Sequence, residues 1–235
     1  MTASHEPSSP PTSSPPHEPS EPSDTFVGAL VKEVRAIQDV VRGRFGELTP
    51  EQLAWSPEAG RWGVGLCLEH LLKTNHLYLK QMEPAVEALE PVSDPEKLVI
   101  RGNAFGRWFT RFVGPHSRWK LPAPGTFRPS KKKSGEEGSS ASPTRTLDDV
   151  VPRFLAQHDR ILALLEKAEG RPLDEARISS PATRLIRFRL SDGIRAMVAH
   201  DRRHLGQAER VLDHPDFPLN QDPGSLDLEG DPGQS

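Results

Sequence analysis

The hydrophobic residues of this chain recur every three or four positions in four long segments, the spacing that places them on one face of an α-helix. In the first segment, FVGALVKEVRAIQDVVRGRF, this stripe runs from Phe26 to Phe45. Asp24 or Thr25 can cap the start of the segment, and Gly46 interrupts the pattern after it. We therefore predict a first amphipathic helix over these residues.

A second segment with the same spacing begins near Val64 and continues to Leu89. Its apolar face is mainly leucine, which is a good helix former. Pro84 lies inside the pattern, and proline removes one backbone hydrogen bond from a helix. We predict a helix over 64–89 with a kink or an early stop at the proline.

The third and fourth segments complete the set. The third opens on Thr146 and Asp149, a pair that resembles a capping box, and it ends by Gly170. The fourth spans 191–213, where His214-Pro215 stops it. Four long amphipathic segments without convincing strand alternation predict an all-α fold, a four-helix bundle.

The remaining stretches predict loops and tails. Residues 50–54 can form one short helical turn, and in 101–130 aromatic residues occur without a regular period. Lysine, glycine and serine dominate 122–142, which we interpret as a mobile loop. Residues 1–24 contain seven prolines and no large apolar residue after Met1, and 215–235 are rich in proline, glycine and aspartate. We predict disorder in both tails and one folded domain over 25–214.

Charge and composition exclude several classes of protein. The net charge is −3, but the two tails carry −4 and −5, which leaves +6 on the middle of the chain. That excess is spread out and has no aromatic-basic motif beside it, so we favour a solvated face over nucleic-acid binding. A single cysteine, Cys67, excludes an internal disulfide and a cysteine-rich zinc module. Without a long apolar run or a signal-peptide pattern, we expect a cytoplasmic protein.

Two of the nine histidines, His200 and His204, form the motif HDRRH in the fourth helix. Side chains four residues apart are neighbours on a helix, so both imidazoles could reach one metal ion. The pair lies in an apolar stripe, where an unpaired polar group is costly. The spacing alone leaves two interpretations open, a metal site and a polar or structural pair.

Helix two offers a candidate third ligand, His70, on a mainly apolar face. His76 is about 120° around the helix from it, so these two histidines cannot easily share a site. Cys67 lies one turn before His70, but a free cysteine is more often a small buried apolar residue.

HDRRH is also similar to the zinc-protease pattern HExxH, with Asp201 at the position of the general-base glutamate. The shorter side chain moves the carboxylate by roughly 1 Å, which damages a positioned base. No further ligand motif follows in the usual direction. We therefore reject the protease interpretation.

Two longer stretches resemble the signatures of the DinB-like superfamily. WSPEAGRWGVGLCLEHLLKTNHLYL resembles its second-helix signature, in which a Trp-x-Pro turn and a second tryptophan precede a helix bearing His-Leu. SDGIRAMVAHDRRHLGQAERVLDHPDFP resembles its fourth-helix signature, an H-x-x-x-H pair followed by Leu-x-Gln. With the intervening FRPS-type loop and third helix, the resemblance covers 26–218.

The resemblance implies a four-helix bundle in which three histidines hold one divalent metal ion. Carried over to this chain, the ligands are His70, His200 and His204. Zn, Ni and Fe are the ions that we expect for such a set. Three neutral ligands leave coordination positions open, which suits a catalytic site better than a structural one.

Three functions remain open at this point. The first is a metal-dependent S-transferase, or a related hydrolase, with a low-molecular-weight thiol cosubstrate. Arg61, Arg202 or Arg203 could then anchor an anionic cosubstrate, although solvated surface charges are the simpler interpretation. The second is a metal-binding stress-response or accessory protein without turnover, and the third is a polar histidine cluster in a bundle that mediates association.

Members of the family tend to form homodimers, so the resemblance also implies a second copy of the chain as a partner. Trp108, Phe109 and Phe112 could supply an apolar contact between copies, although we favour core packing for these aromatics. We expect a small-molecule substrate in addition.

Overall fold

The computed structural model describes residues 25–115, 147–181 and 183–218. The predicted mobile loop, the predicted N-terminal tail and most of the predicted C-terminal tail lie outside these residues. The described part contains six α-helices: α1 (Phe26–Phe45), α2 (Pro50–Ala54), α3 (Val64–Glu87), α4 (Ala104–Val113), α5 (Val150–Ala168) and α6 (Leu190–Leu212). It also contains two strands, β1 (Arg177–Ser180) and β2 (Thr183–Arg189). None of the described helices is both long enough and apolar enough to cross a membrane.

The four long helices α1, α3, α5 and α6 form the predicted four-helix bundle. Helix α3 packs against α5 and α6, and α1 packs against the same two helices from the other side. Their apolar stripes meet in one continuous core, in which Val41, Leu68, Phe154 and Ile194 are fully buried. The amphipathic spacing read from the sequence therefore corresponds to the core faces of the bundle.

Local signals set most helix ends where the sequence predicts them. Thr25 caps α1 through its hydroxyl, which accepts from the Gly28 amide at 3.0 Å. Helix α3 continues through Pro84 and ends at Glu87, so the proline does not stop it early. Thr146 lies outside the described residues, and α5 begins at Val150 after a short 3₁₀ turn.

A β-hairpin between α5 and α6 corrects the expectation that the fold has no strands. Strands β1 and β2 pair antiparallel, with Ile178 opposite Phe188, and both side chains are buried. In β2, Leu185 and Arg187 point to solvent while Phe188 packs inward, which is the alternation of a half-buried strand. The hairpin escaped prediction because β1 has only four residues and because Leu185, an apolar residue that faces solvent, interrupts the polar–apolar alternation of β2.

Helix α4 is a second correction: Phe105, Trp108, Phe109 and Phe112 follow the i, i+3, i+4, i+7 spacing of one helix face, which the sequence analysis overlooked among the neighbouring glycine, proline and arginine residues. It packs on α6 through small residues, and a Cβ on Gly106 would lie 2.0 Å from Cγ of Asp192. The larger side chains point elsewhere: Phe109 stacks on Phe188 at 5.4 Å, while Trp108 is 58% exposed. Gly106 therefore lets α4 lie close to α6, while Phe109 packs against the core and Trp108 faces solvent.

The chain leaves the bundle along α2. Phe217 is buried and meets Trp55 edge-on, with 5.3 Å between the ring centroids. The Gln52 side-chain amide donates to the Pro218 carbonyl oxygen at 2.7 Å. Residues 217 and 218, which the sequence analysis assigned to the C-terminal tail, therefore pack against the bundle.

Candidate metal centre

The three histidines singled out in the sequence meet between α3 and α6. His70 lies on the second turn of α3, and His200 and His204 lie one turn apart on α6. Their ring centroids are 5.2 Å (70–200), 4.6 Å (70–204) and 4.6 Å (200–204) apart. His70 is buried, and the other two are half-buried.

The nitrogen atoms of these rings are close enough to share one ion. Nε2 of His70 lies 3.4 Å from Nε2 of His200, and one ligand atom from each histidine lies within 4.8 Å of the others. In a tetrahedral site with metal–nitrogen bonds of 2.0–2.1 Å, ligand nitrogens are about 3.3 Å apart. The set therefore fits a divalent ion after small side-chain adjustments.

Burial keeps the imidazoles of α6 neutral, as metal ligands must be. Burial lowers the pKa of His200 well below its usual value, and the neighbouring His204, His70 and Arg203 lower it further. Burial, followed by the charge of His70, lowers the pKa of His204 to about 3. At neutral pH both rings therefore present a lone pair instead of a positive charge.

A glutamine orients one of the rings. Nδ1 of His204 lies 3.1 Å from Oε1 of Gln207, and a side-chain carbonyl oxygen only accepts. The proton of His204 is therefore on Nδ1, and Nε2 is left as the ligand atom. Such outer partners commonly fix the tautomer of metal-binding histidines.

Trp62 forms one wall of the centre. Its ring stacks on His204 with 5.7 Å between centroids and also packs on His70 at 4.9 Å. The turn that carries Trp62 closes tightly on α2, because a Cβ on Gly63 would lie 2.0 Å from the carbonyl oxygen of Trp55. Glycine at this position therefore allows the tryptophan to cover the two histidines.

Other residues considered in the sequence analysis do not join the cluster. His76 is exposed on the surface of α3. Cys67 is fully buried as a free thiol, and burial raises its pKa to about 12, so it is a poor ligand at neutral pH. Among the described residues, the cluster of candidate ligands contains the three histidines alone.

The three candidate arginines differ in their surroundings. Arg61 and Arg202 form exposed ion pairs with nearby glutamates. Arg203 is half-buried and donates to the carbonyl oxygen of Gly114 at 3.3 Å. Of the three, Arg203 is the one whose charge acts on His200 and His204.

The sequence analysis missed a buried polar cluster next to this centre. Asn75, His158 and Asp201 are each at most 1% exposed, and Asn75 and His158 are both hydrogen-bonded to Asp201. Asp201 therefore uses its carboxylate in the core of the bundle, which agrees with the rejection of the protease interpretation. The three residues lie on three different helices, α3, α5 and α6. Nothing in the sequence indicates that they are in contact, because the contact exists only when the helices pack together.

Comparison with known proteins supports the family indicated by the sequence. Curated proteins and solved structures gave no significant match to this chain. The model of the DinB superfamily matches residues 33–208, which include all three histidines and most of the bundle. Because this match covers well over half of the chain, the protein belongs to the DinB superfamily.

Proposed function

We propose that this chain is a divalent-metal protein of the DinB superfamily, and that it acts as a metal-dependent S-transferase or related metalloenzyme on a small molecule. The observation that carries the proposal is the convergence of His70, His200 and His204, with one ligand atom from each within 4.8 Å of the others. Among the described residues no fourth histidine, cysteine or carboxylate joins them. Three protein ligands with an open position are typical of catalytic metal sites, whereas structural zinc sites use four.

A divalent ion bound here would supply a Lewis acid that lowers the pKa of a coordinated thiol or water molecule. The side chains of the protein prepare the site for that ion. His200 and His204 are neutral because they are buried, and Gln207 holds the proton of His204 on Nδ1. Trp62 covers one side of the centre and limits the access of water there.

A thiol cosubstrate that carries an anionic group fits the charge beside the three histidines. The histidines are neutral as ligands, and Arg203 is the cation whose charge lowers the pKa of both His200 and His204. An anionic group would therefore be attracted to this side of the centre, and we propose Arg203 as its anchor. In the transfer, the sulfur forms a bond to an electrophilic carbon, the leaving group departs with its electron pair, and the thiol proton passes to solvent.

Metal analysis tests the site. Purified wild-type protein should contain or take up about one divalent ion per chain, and His200→Ala should lose it. His76→Ala is the matched control, since His76 is an exposed histidine on the same bundle and should leave the metal content unchanged. If wild type and His200→Ala both lack stoichiometric metal, the proposed metal site is wrong.

A turnover assay separates the enzyme from the non-catalytic alternative. The metal-loaded protein is mixed with bacillithiol, mycothiol or glutathione and the electrophile monochlorobimane. Catalysis predicts a rate above the uncatalysed thiol reaction that is lost in both His70→Ala and His204→Ala. A metal-loaded protein with no added rate would favour a metal-binding accessory or stress-response protein.

A further inference from the structure

A buried polar cluster lies beside the three histidines and joins three helices of the bundle. Asn75 comes from α3, His158 from α5 and Asp201 from α6. Their exposed fractions are 0%, 0% and 1%. Buried polar groups are costly unless they are fully hydrogen-bonded, so the contacts within this cluster decide what it does.

Asp201 is the centre of the cluster. The side-chain amide of Asn75 donates to both carboxylate oxygens of Asp201, each at 3.0 Å. Nε2 of His158 lies 3.1 Å from Oδ2 of Asp201. The carboxylate is therefore held from two sides, by α3 and by α5.

The position of the protons follows from the acceptors. Nδ1 of His158 lies 3.0 Å from the carbonyl oxygen of Phe154, which can only accept, so Nδ1 carries a proton. A second proton must then lie between Nε2 and the carboxylate of Asp201, on one atom or the other. The His158–Asp201 pair is net neutral in either case, and all of its close contacts are satisfied hydrogen bonds.

The contacts of Asp201 connect α6 to α3 and α5 next to the histidines, so they bear on the rotation of α6 about its own axis. Asp201 directly follows His200 and precedes His204 by three residues, so the directions of the three side chains are coupled by the helix. A rotation of α6 by about 20° would move its side-chain atoms by about 2 Å. Metal–ligand distances tolerate only about 0.2 Å, so this rotation decides whether His200 and His204 meet His70.

We propose that Asp201, held by Asn75 and His158, is a positioning residue for the metal centre. It sets the rotation of α6 at which the two histidines of that helix face His70. The proposal rests on the proposed metal-binding function, and it goes beyond that function by assigning a role to a side chain that does not contact the ion.

Two substitutions at Asp201 separate positioning from charge. In Asp201→Asn the amide oxygen can still accept from Asn75 and the amide nitrogen can donate to a neutral His158. One hydrogen bond to each partner is therefore kept, and only the second bond from Asn75, to Oδ2, is lost. In Asp201→Ala both partners lose their contact. We expect Co²⁺ affinity within about threefold of wild type for the asparagine variant and about 10–100-fold weaker for the alanine variant.

The measurement is a Co²⁺ titration of the metal-free protein, followed by visible absorption, at a temperature where circular dichroism shows each variant to be folded. The absorption bands report ligand geometry, so Asp201→Ala should also change their position or intensity. Asp192→Ala is the matched control, because Asp192 is another buried aspartate of α6, 1% exposed, whose carboxylate accepts from the Asn103 amide. This control should lower stability and leave Co²⁺ affinity and spectrum unchanged.

Each outcome decides the proposal. Wild-type affinity and spectrum in Asp201→Ala would overturn it, as would equal losses in the alanine and asparagine variants or in Asp192→Ala. If Asp201→Ala does not fold, Asn75→Ala takes its place, and an unchanged affinity and spectrum in that variant would overturn the proposal. A wild-type protein that binds no Co²⁺ would instead show that the proposed function itself is wrong.

Discussion

Acid should destabilise the metal-free protein through the buried imidazole of His204. In the unfolded chain this histidine has an ordinary pKa of about 6.5, whereas burial lowers its pKa to about 3 in the folded protein. Between these values the unfolded state binds a proton that the folded state does not bind. The stability associated with the neutral ring is therefore complete above pH 6.5 and is lost as the pH falls toward 3.

The size of the effect follows from the same two pKa values. One extra proton in the unfolded state changes the free energy of unfolding by about 1.4 kcal/mol per pH unit. Integrated from pH 6.5 to pH 4, the loss is about 3 kcal/mol, a large part of the roughly 5–15 kcal/mol that stabilises a typical domain. His204→Gln removes the titrating group, so this part of the pH dependence should disappear.

Urea unfolding in the presence of a chelator, at several pH values between 4 and 6.5, measures the difference. Glutamine also loses the stacking on Trp62, which lowers stability at every pH, so the quantity to compare is the slope against pH. Titrating carboxylates contribute to both proteins and cancel in that comparison. His76→Gln, at an exposed position, should keep the wild-type slope. Equal slopes for wild type and His204→Gln would refute the argument that His204 is buried and neutral.

Three further predictions concern other parts of the molecule. Gly106→Ala should lower the free energy of unfolding by about 1–3 kcal/mol in thermal or urea unfolding, because the new Cβ would collide with Asp192. Gly43→Ala is the control and should not destabilise the protein, because the new methyl group would meet open space. Cys67 should react with a thiol reagent such as Ellman's reagent only after unfolding, because burial raises its pKa to about 12; rapid reaction of the native protein would contradict this. The homodimer implied by the family resemblance remains a prediction, and we propose that the two copies meet at the exposed aromatic side chains of α4. Trp108→Ser should then change the mass measured by light scattering from two chains to one. A monomeric wild-type protein would contradict this prediction.

The long helices were predictable because their signals are local. The predicted ends of α1, α3 and α6 agree with the structure to within two residues, since the apolar stripe, the cap and the terminating residues all lie within the segment itself. The hairpin and the position of α4 on the bundle depend on partners far along the chain. Ile178 and Phe188 are buried only once the strands pair, and α4 is placed by the fit of Gly106 against Asp192.

The candidate site also combines features that are local in the sequence with features that depend on packing. By itself the sequence determined that His200 and His204 share one helix face, because four residues make about one turn of an α-helix. His70 was preferred over His76 through its apolar face and the family resemblance. Only the tertiary structure brought Nε2 of His70 to 3.4 Å from Nε2 of His200, since that distance depends on how α3 and α6 pack and rotate.

The environment of the histidines was likewise decided by packing. His158 and Asp201 are 43 residues apart, and Asn75 and Asp201 are 126 residues apart, so no local pattern joins them. Their hydrogen bonds form only when three helices enclose the same small volume. The sequence thus supplied the candidate metal ligands and the spacing of two of them on one helix. The packed bundle supplied their burial, the proton positions and the rotation of α6, because these depend on contacts between distant segments.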